Sequence, residues 1–297
     1  MVQRERATLH LGASRSSKCH RQMTIAVCLK VQDGLVFGTD SAATLGDSGG
    51  NVSNVYENAN KIINLRKGLP VGAMFWGAGG IGDSSVSTLA KDLRLKFADK
   101  NAPEYVDPDS YFIADIAKHL ATFLENHYTS AYGTLTGPKP VLGVIVGGYS
   151  SQASHAECYE IGVDDQGCFS GPNVRMGTDG FGLTWAAMGQ WISRLVVGFD
   201  PALLQVLTDK LGLPTDQLEQ ADQIIRSQTE VAFWHPAMPI QDAIDLVRFL
   251  VDLTKHAFRF APGAPVVGGP TELACIAKHE GFKWVSRKHY YTLELNP

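Results

Sequence analysis

Residues 24–40 read TIAVCLKVQDGLVFGTD. Ile25, Val27, Leu29 and Val31 recur every second position, which is the pattern of a strand with one face turned into a core. Asp33-Gly34 is placed to reverse the chain into a second strand over 35–40, and this dipeptide is expected to supply the positive φ of a tight primed turn. A hairpin this short brings its two free ends together. Asp40, which closes the second strand, is therefore expected beside Thr24, which opens the first.

Outward from this hairpin, residues 41–60 are rich in Gly, Asn and Ser with no period, and predict a loop. A second hairpin is expected from KIINL at 61–65, a turn around Lys67-Gly68, and an apolar run over 71–76. After GAGGIG at 77–82, the spacing Val86, Leu89, Ala90, Leu93, Phe97 lays an apolar stripe on a helix, with Asp83 or Ser84 as its cap. A further helix is expected over about 109–127. Four strands followed by two helices is an α+β order. Strands resume at 141–147, 157–163 and about 167–170, helices at about 182–196, 201–211, 215–232 and 240–258, and strands close the chain at 272–278 and 282–287. With no internal repeat or linker, residues 24–297 read as one domain, best packed as two sheets between two helix layers.

Composition narrows the partners. The chain has 297 residues, 44% of them apolar, with 26 Lys+Arg against 30 Asp+Glu. No basic stripe interleaved with aromatics marks a nucleic-acid surface. The longest apolar runs fall well short of the roughly 18 residues that a membrane-spanning helix needs, so neither nucleic acid nor membrane is expected as a partner. Five scattered cysteines signal neither a disulfide framework nor a metal site, which favours a reducing, cytoplasmic setting without cofactor. Residues 1–22 differ from the rest: they carry five basic residues and one acid, a net +4 against −8 for the remainder. Lacking a continuous apolar core, this piece is not a secretory signal; propeptide, tail, transit peptide and misplaced start remain open, with Met23 a plausible true start.

A threonine at the head of a strand is unremarkable by itself. In the setting TIAVCLKVQDGLVFGTDSAATLG, then NANKIINL, then WGAGGIGDSS, it resembles the β-type subunits of the proteasome and their bacterial relatives, members of the N-terminal nucleophile (Ntn) hydrolases. The resemblance is strong over 24–85 and weaker beyond. It implies a four-layer αββα sandwich of two antiparallel sheets, a catalytic set of Thr24, Asp40 and Lys61, a peptide or protein substrate, and a homo-oligomeric ring. It also places a substrate pocket at Ala42, Ala43 and Thr44, with the 45–60 loop near it, and suggests Thr178 in MGTDG as the counterpart of an additional family serine. A family Asp-x-x-Ser-Gly-Gly segment falls on APVVGG, with Ala264 and Val267 where the acid and hydroxyl would be. Met23 stands where a self-processed chain usually has glycine.

The chemistry has its own logic. A hydroxyl is a weak nucleophile and must pass its proton to a base; in an N-terminal threonine the α-amine, with an ordinary pKa of about 7.7–8, can serve through a water. A Lys61 ammonium would lower the pKa of the Thr24 hydroxyl, and Asp40 would hold that lysine charged and oriented. Backbone N–H groups around Gly77, Gly79 and Gly80 are candidates to face the oxyanion. The reaction class is amide hydrolysis through an acyl-enzyme ester. Two other readings compete: a catalytically inactive ring or scaffold subunit of the same fold, and a dinucleotide site at GAGGIG, which fits GxGxxG but follows hairpins where a parallel βαβ unit is required.

Overall fold

The computed structural model describes residues 24–46, 52–263 and 266–288. β1 (Ile25–Val31) and β2 (Gly34–Thr39) form the leading hairpin, paired from Val31↔Gly34 to Ala26↔Thr39. Its turn falls one residue earlier than the Asp-Gly reading: Gln32 and Asp33 make it, and neither they nor Gly34 adopts positive φ. Gly34 is required by space instead, since a Cβ there would lie 2.8 Å from the Ile276 carbonyl oxygen.

Residues 41–60 are not a plain loop; they hold a two-stranded ribbon of β3 (Ala43–Gly46) and β4 (Val52–Tyr56). β5 (Ile62–Asn64) and β6 (Val71–Gly77) form the second expected hairpin. A short ribbon of β7 (Gly80–Ile81) and β8 (Ser84–Ser85) leads into α1 (Val86–Ala98). The cap of α1 is Ser85, whose hydroxyl accepts the Thr88 N–H, rather than Asp83 or Ser84. Then come α2 (Ile113–Tyr132), β9 (Leu142–Gly148), β10 (Glu157–Val163) and β11 (Phe169–Met176).

The helix expected over 182–196 is half strand: β12 (Gly182–Ala187) pairs with β1, and only α3 (Gln190–Val196) is helical. Its sequence, GLTWAAMGQW, has no period that separates the two; the free edge of β1 decides it. α4 (Ala202–Leu211), α5 (Thr215–Thr229) and α6 (Ile240–Phe260) follow, then β13 (Glu272–Ala277) and β14 (Gly281–Ser286).

The strands assemble into two five-stranded sheets, β12-β1-β2-β13-β14 and β11-β10-β9-β6-β5, with every paired neighbour antiparallel. The period-two alternation assigns the faces. Ile25, Val27 and Leu29 pack outward on α6 through Val247, Leu250 and Val251. Ala26 and Cys28, with Leu35 and Phe37 of β2, turn inward to meet Met74, Ile145 and Ile276 between the sheets. On the far side, Ala73, Phe75, Val144 and Val146 pack against Leu89, Leu93 and Phe97 of α1 and Ile116, Leu120 and Leu124 of α2. Helix, sheet, sheet, helix is the four-layer αββα sandwich. Among the described residues no parallel βαβ unit exists to carry the dinucleotide reading of GAGGIG, whose flanking strands are paired antiparallel. Among the described residues, no helix is long and apolar enough to cross a membrane.

Candidate active site

Thr24 immediately precedes β1 and shares the parity of Ala26 and Cys28, so it faces the space between the sheets. Its carbonyl accepts the Met188 N–H at 2.9 Å, fixing the strand's first residue to the end of β12. Ala187, the residue before Met188, takes φ +66°, a left-handed conformation that costs a non-glycine residue of order 1 kcal/mol. Asp40 arrives from β2 by the hairpin, as its register demands. Lys61 arrives from the opposite sheet, at the head of β5, where its carbonyl accepts the Phe75 N–H at 2.8 Å.

The three side chains meet. Lys61 Nζ donates to Thr24 Oγ1 at 2.7 Å and to Asp40 Oδ1 at 2.7 Å. Thr24 is 2% exposed, Asp40 0% and Lys61 7%, so the arrangement sits away from bulk solvent. Asp40 is further held by three backbone donors: the Ile25 N–H on Oδ1 at 3.2 Å, and the Ala42 and Gly268 N–H groups on Oδ2, each at 3.1 Å. Four donors thus converge on the two oxygens of one carboxylate. Burial pulls the Lys61 pKa below its ordinary 10.5, while the charge and hydrogen bond of Asp40 and the charge of Glu272 oppose that pull.

The neighbouring residues are placed as follows. Ala42 is buried and its N–H is spent on Asp40. Ala43 opens β3, and a Cβ on Gly79 would lie 3.9 Å from its methyl, so the glycine loop and the expected pocket face each other. The Thr44 side chain lies outside the described residues, as do Ala264 and residues 1–23. Gly77, at φ +86°, lies so close to the Val141 carbonyl oxygen that an added Cβ would fall 2.3 Å from it. The Ala78 N–H donates to that same carbonyl, and Gly80 pairs with Ser85 across β7 and β8. Val267 is buried in the outer core under α6, and its neighbour Gly268 is the residue that reaches Asp40.

Thr178 is not brought to this site. Its carbonyl accepts from Lys30 Nζ at 2.9 Å, at the far end of β1 and about 20 Å along the strand from Thr24. The reason is the unforeseen strand β12, whose antiparallel register sets Ala187 and Met188, not Thr178, beside Thr24. Sequence reading also passed over Gly268 and Glu272. Gly268 is 228 residues from the carboxylate it serves, and no local pattern announces it. Glu272 carried a faint signal, as an acid heading the otherwise apolar run ELACIA.

The chain matches no protein-family model and no curated protein. Solved structures do resemble it. The helical assembly of the Anbu complex from Pseudomonas aeruginosa aligns with 91% of this chain and 90% of that chain at 14% identity and a TM-score of 0.53. Anbu (ancestral beta-subunit) from Yersinia bercovieri aligns at 12% identity, covering 91% of each chain, with a TM-score of 0.49, and Anbu from Hyphomicrobium sp. strain MC1 at 14% identity, covering 90% and 89%, with a TM-score of 0.47. At these identities the likeness speaks to the fold, a proteasome-like sandwich, and the Pseudomonas aeruginosa match carries it.

Proposed function

We propose that this chain is a threonine-type amidohydrolase acting on peptides or proteins, with Thr24 as nucleophile. The observation that carries the reading is the buried Lys61 ammonium, 2.7 Å from both Thr24 Oγ1 and Asp40 Oδ1. Because Thr24 Oγ1 accepts from Lys61, its own proton is free to be donated elsewhere. In a chain that begins at Thr24, the α-amine takes that proton through a water as Oγ1 attacks the amide carbon. The lysine charge then faces the developing alkoxide in a dry site, where it acts more strongly than in water. Collapse of the tetrahedral species passes the proton to the leaving amine and leaves a Thr24 ester, which water hydrolyses. Residues 1–23 are accordingly assigned to an extension removed or never made, and residues 24–297 to the working domain, in a cytoplasmic setting.

Assembly is part of the proposal. α4 and α5 contain no buried residue, and Leu203, Val206, Leu211 and Ile224 stand exposed on them. Such faces suit a homo-oligomer, whether a closed ring or an open helix like that of the Pseudomonas aeruginosa protein. Its native mass is expected to be several times 32.2 kDa; a monomer by light scattering removes this part.

A second reading, an inactive scaffold subunit, draws on a specific feature. Around Asp40, the 266–268 segment contributes Val266, Val267 and a backbone N–H, with no hydroxyl, and Ala187, which ends β12, and the following Met188 stand beside Thr24. Labelling with a threonine-directed β-lactone decides between the two. Covalent adduct on the wild type and none on Thr24→Ala supports the hydrolase; no adduct on a chain proven to start at Thr24 supports the scaffold.

A further inference from the structure

Lys61 is tied to the rest of the site by more than its ammonium. Its backbone N–H donates to Glu272 Oε2 at 3.0 Å, across the gap between the two sheets. Glu272 is fully buried and heads β13, paired with Thr39, the residue just before Asp40. Its other oxygen, Oε1, has no hydrogen-bond donor among the described residues, and its nearest cation is Lys288 Nζ at 3.6 Å. The Lys288 ammonium is itself anchored by the Ala59 carbonyl, two residues before Lys61. The exposures of these two side chains are 6% for Lys288 and 1% for Glu272.

A buried carboxylate with one oxygen lacking a donor is costly, because that oxygen has given up its water without a full replacement. A fold whose only need was to pin β5 to β13 would be served better by a neutral amide or an apolar pair. Charge gives the site something an amide cannot. Lys288, Glu272, Lys61 and Asp40 form an alternating cluster with no net charge, so the nucleophile's lysine is balanced by two carboxylates, Asp40 at its ammonium and Glu272 at its backbone N–H.

We propose that Glu272, braced by Lys288, is a positioning residue for the Thr24–Lys61 pair: it fixes the lysine backbone across the inter-sheet gap and supplies the second negative charge that keeps the ammonium at Thr24. This rests on the catalytic reading of Thr24. The groups facing Lys61 are Thr24, Asp40 from the end of β2 and Glu272 from β13, with Lys288 behind Glu272. Glu272 raises the Lys61 pKa and Asp40 does so more strongly. Lys288 is itself pulled down by burial and is supported by Glu272.

The test is the pH dependence of β-lactone labelling of Thr24 in the full chain, read by intact mass. In the wild type, labelling falls on the alkaline side as the ammonium is lost. Glu272→Gln keeps an acceptor for the Lys61 N–H but removes the charge, and is expected to move that alkaline limb down by about one pH unit. Lys288→Met removes the opposing positive charge and moves the limb up. Nitrogen NMR of the Lys61 Nζ, assigned by its loss in Lys61→Arg, follows the same charge without needing activity. Unchanged limbs and an unchanged Nζ titration in both variants overturn the proposal while the hydrolase reading stands. A wild type that starts at Thr24 and never labels overturns that reading, and the positioning role of Glu272 with it, whatever the NMR shows. Should Glu272→Gln fail to fold, Lys288→Met alone decides, because a structural brace predicts lower stability with no shift of the limb.

Discussion

Asp40→Asn is expected to damage the fold more than removal of the lysine it pairs with. In the wild type Oδ1 accepts from the Lys61 ammonium and the Ile25 N–H, and Oδ2 from the Ala42 and Gly268 N–H groups. An asparagine has one acceptor oxygen and one NH2 donor. Whichever way the amide is turned, two donors face a donor, and the buried ammonium loses its nearest counter-charge. Breaking a buried pair by removing one partner costs about 3–5 kcal/mol, and each orphaned N–H adds to this, so a loss of about 4 kcal/mol or more is expected. Lys61→Met leaves the carboxylate with its three backbone donors and is expected to cost only about 2 kcal/mol. Urea unfolding of the two single variants and the double variant reads both numbers and their coupling. If Asp40→Asn costs no more than Lys61→Met, the three backbone bonds do not hold this carboxylate in the way described.

Lys30 is fully buried and donates to the Gly177 and Thr178 carbonyls at 2.6 and 2.9 Å; Lys30→Met is expected to cost about 2 kcal/mol and to speed hydrogen exchange in the 176–181 loop, leaving Thr24 labelling unchanged. Gly38 lies under α6, where a Cβ would fall 2.3 Å from Val247 Cγ1, so Gly38→Ala is expected to destabilise by about 1–3 kcal/mol in a urea titration; a neutral effect refutes the close approach. Burial pushes the Tyr128 and Tyr149 phenols from 10.0 up to about 12. Their folded values exceed the unfolded one, so the stability linked to them is complete below pH 10 and is lost as pH rises through about 12, whereas Lys30 and Lys61, lowered by burial, gain stability on the approach to 10.5. The net decline is therefore expected above about pH 10.5, with part of the phenolate absorbance appearing only on unfolding; all nine tyrosines titrating near 10 in a folded chain contradicts it.

What could be read in advance follows from how local each signal is. The β1–β2 hairpin, the strand opened by Lys61 and the helical stripe of α1 are set by short-range periodicity, and with them came the meeting of Thr24 and Asp40. The approach of Lys61 needs the second sheet to stack on the first, which periodicity does not encode; the resemblance supplied it. β12 was hidden because Leu183, Ala186 and Ala187 suit a helix as well as a strand, and only pairing with β1 separates the two. The misplacement of Thr178 followed from that one error. β3 and β4 were obscured by the surrounding Gly, Ser and Asn, which signal turns but do not exclude a ribbon between them. Gly268 and Glu272 reach the site only because β13 pairs with β2, a contact between residues more than 200 positions apart. Asp40 was legible from one end of the chain; what surrounds it comes from the other.

The central claim is that Thr24, with Lys61 at 2.7 Å, is a nucleophile. The most direct measurement is intact and tryptic mass spectrometry of the purified protein after incubation with a threonine-directed epoxyketone, which requires both the hydroxyl and a free α-amine. The account predicts a mature chain beginning at Thr24 with one adduct on that residue, absent in Thr24→Ala and slowed in Lys61→Met. A chain that begins at Thr24 and remains unmodified contradicts it, as does one that keeps residues 1–23 and still hydrolyses peptides.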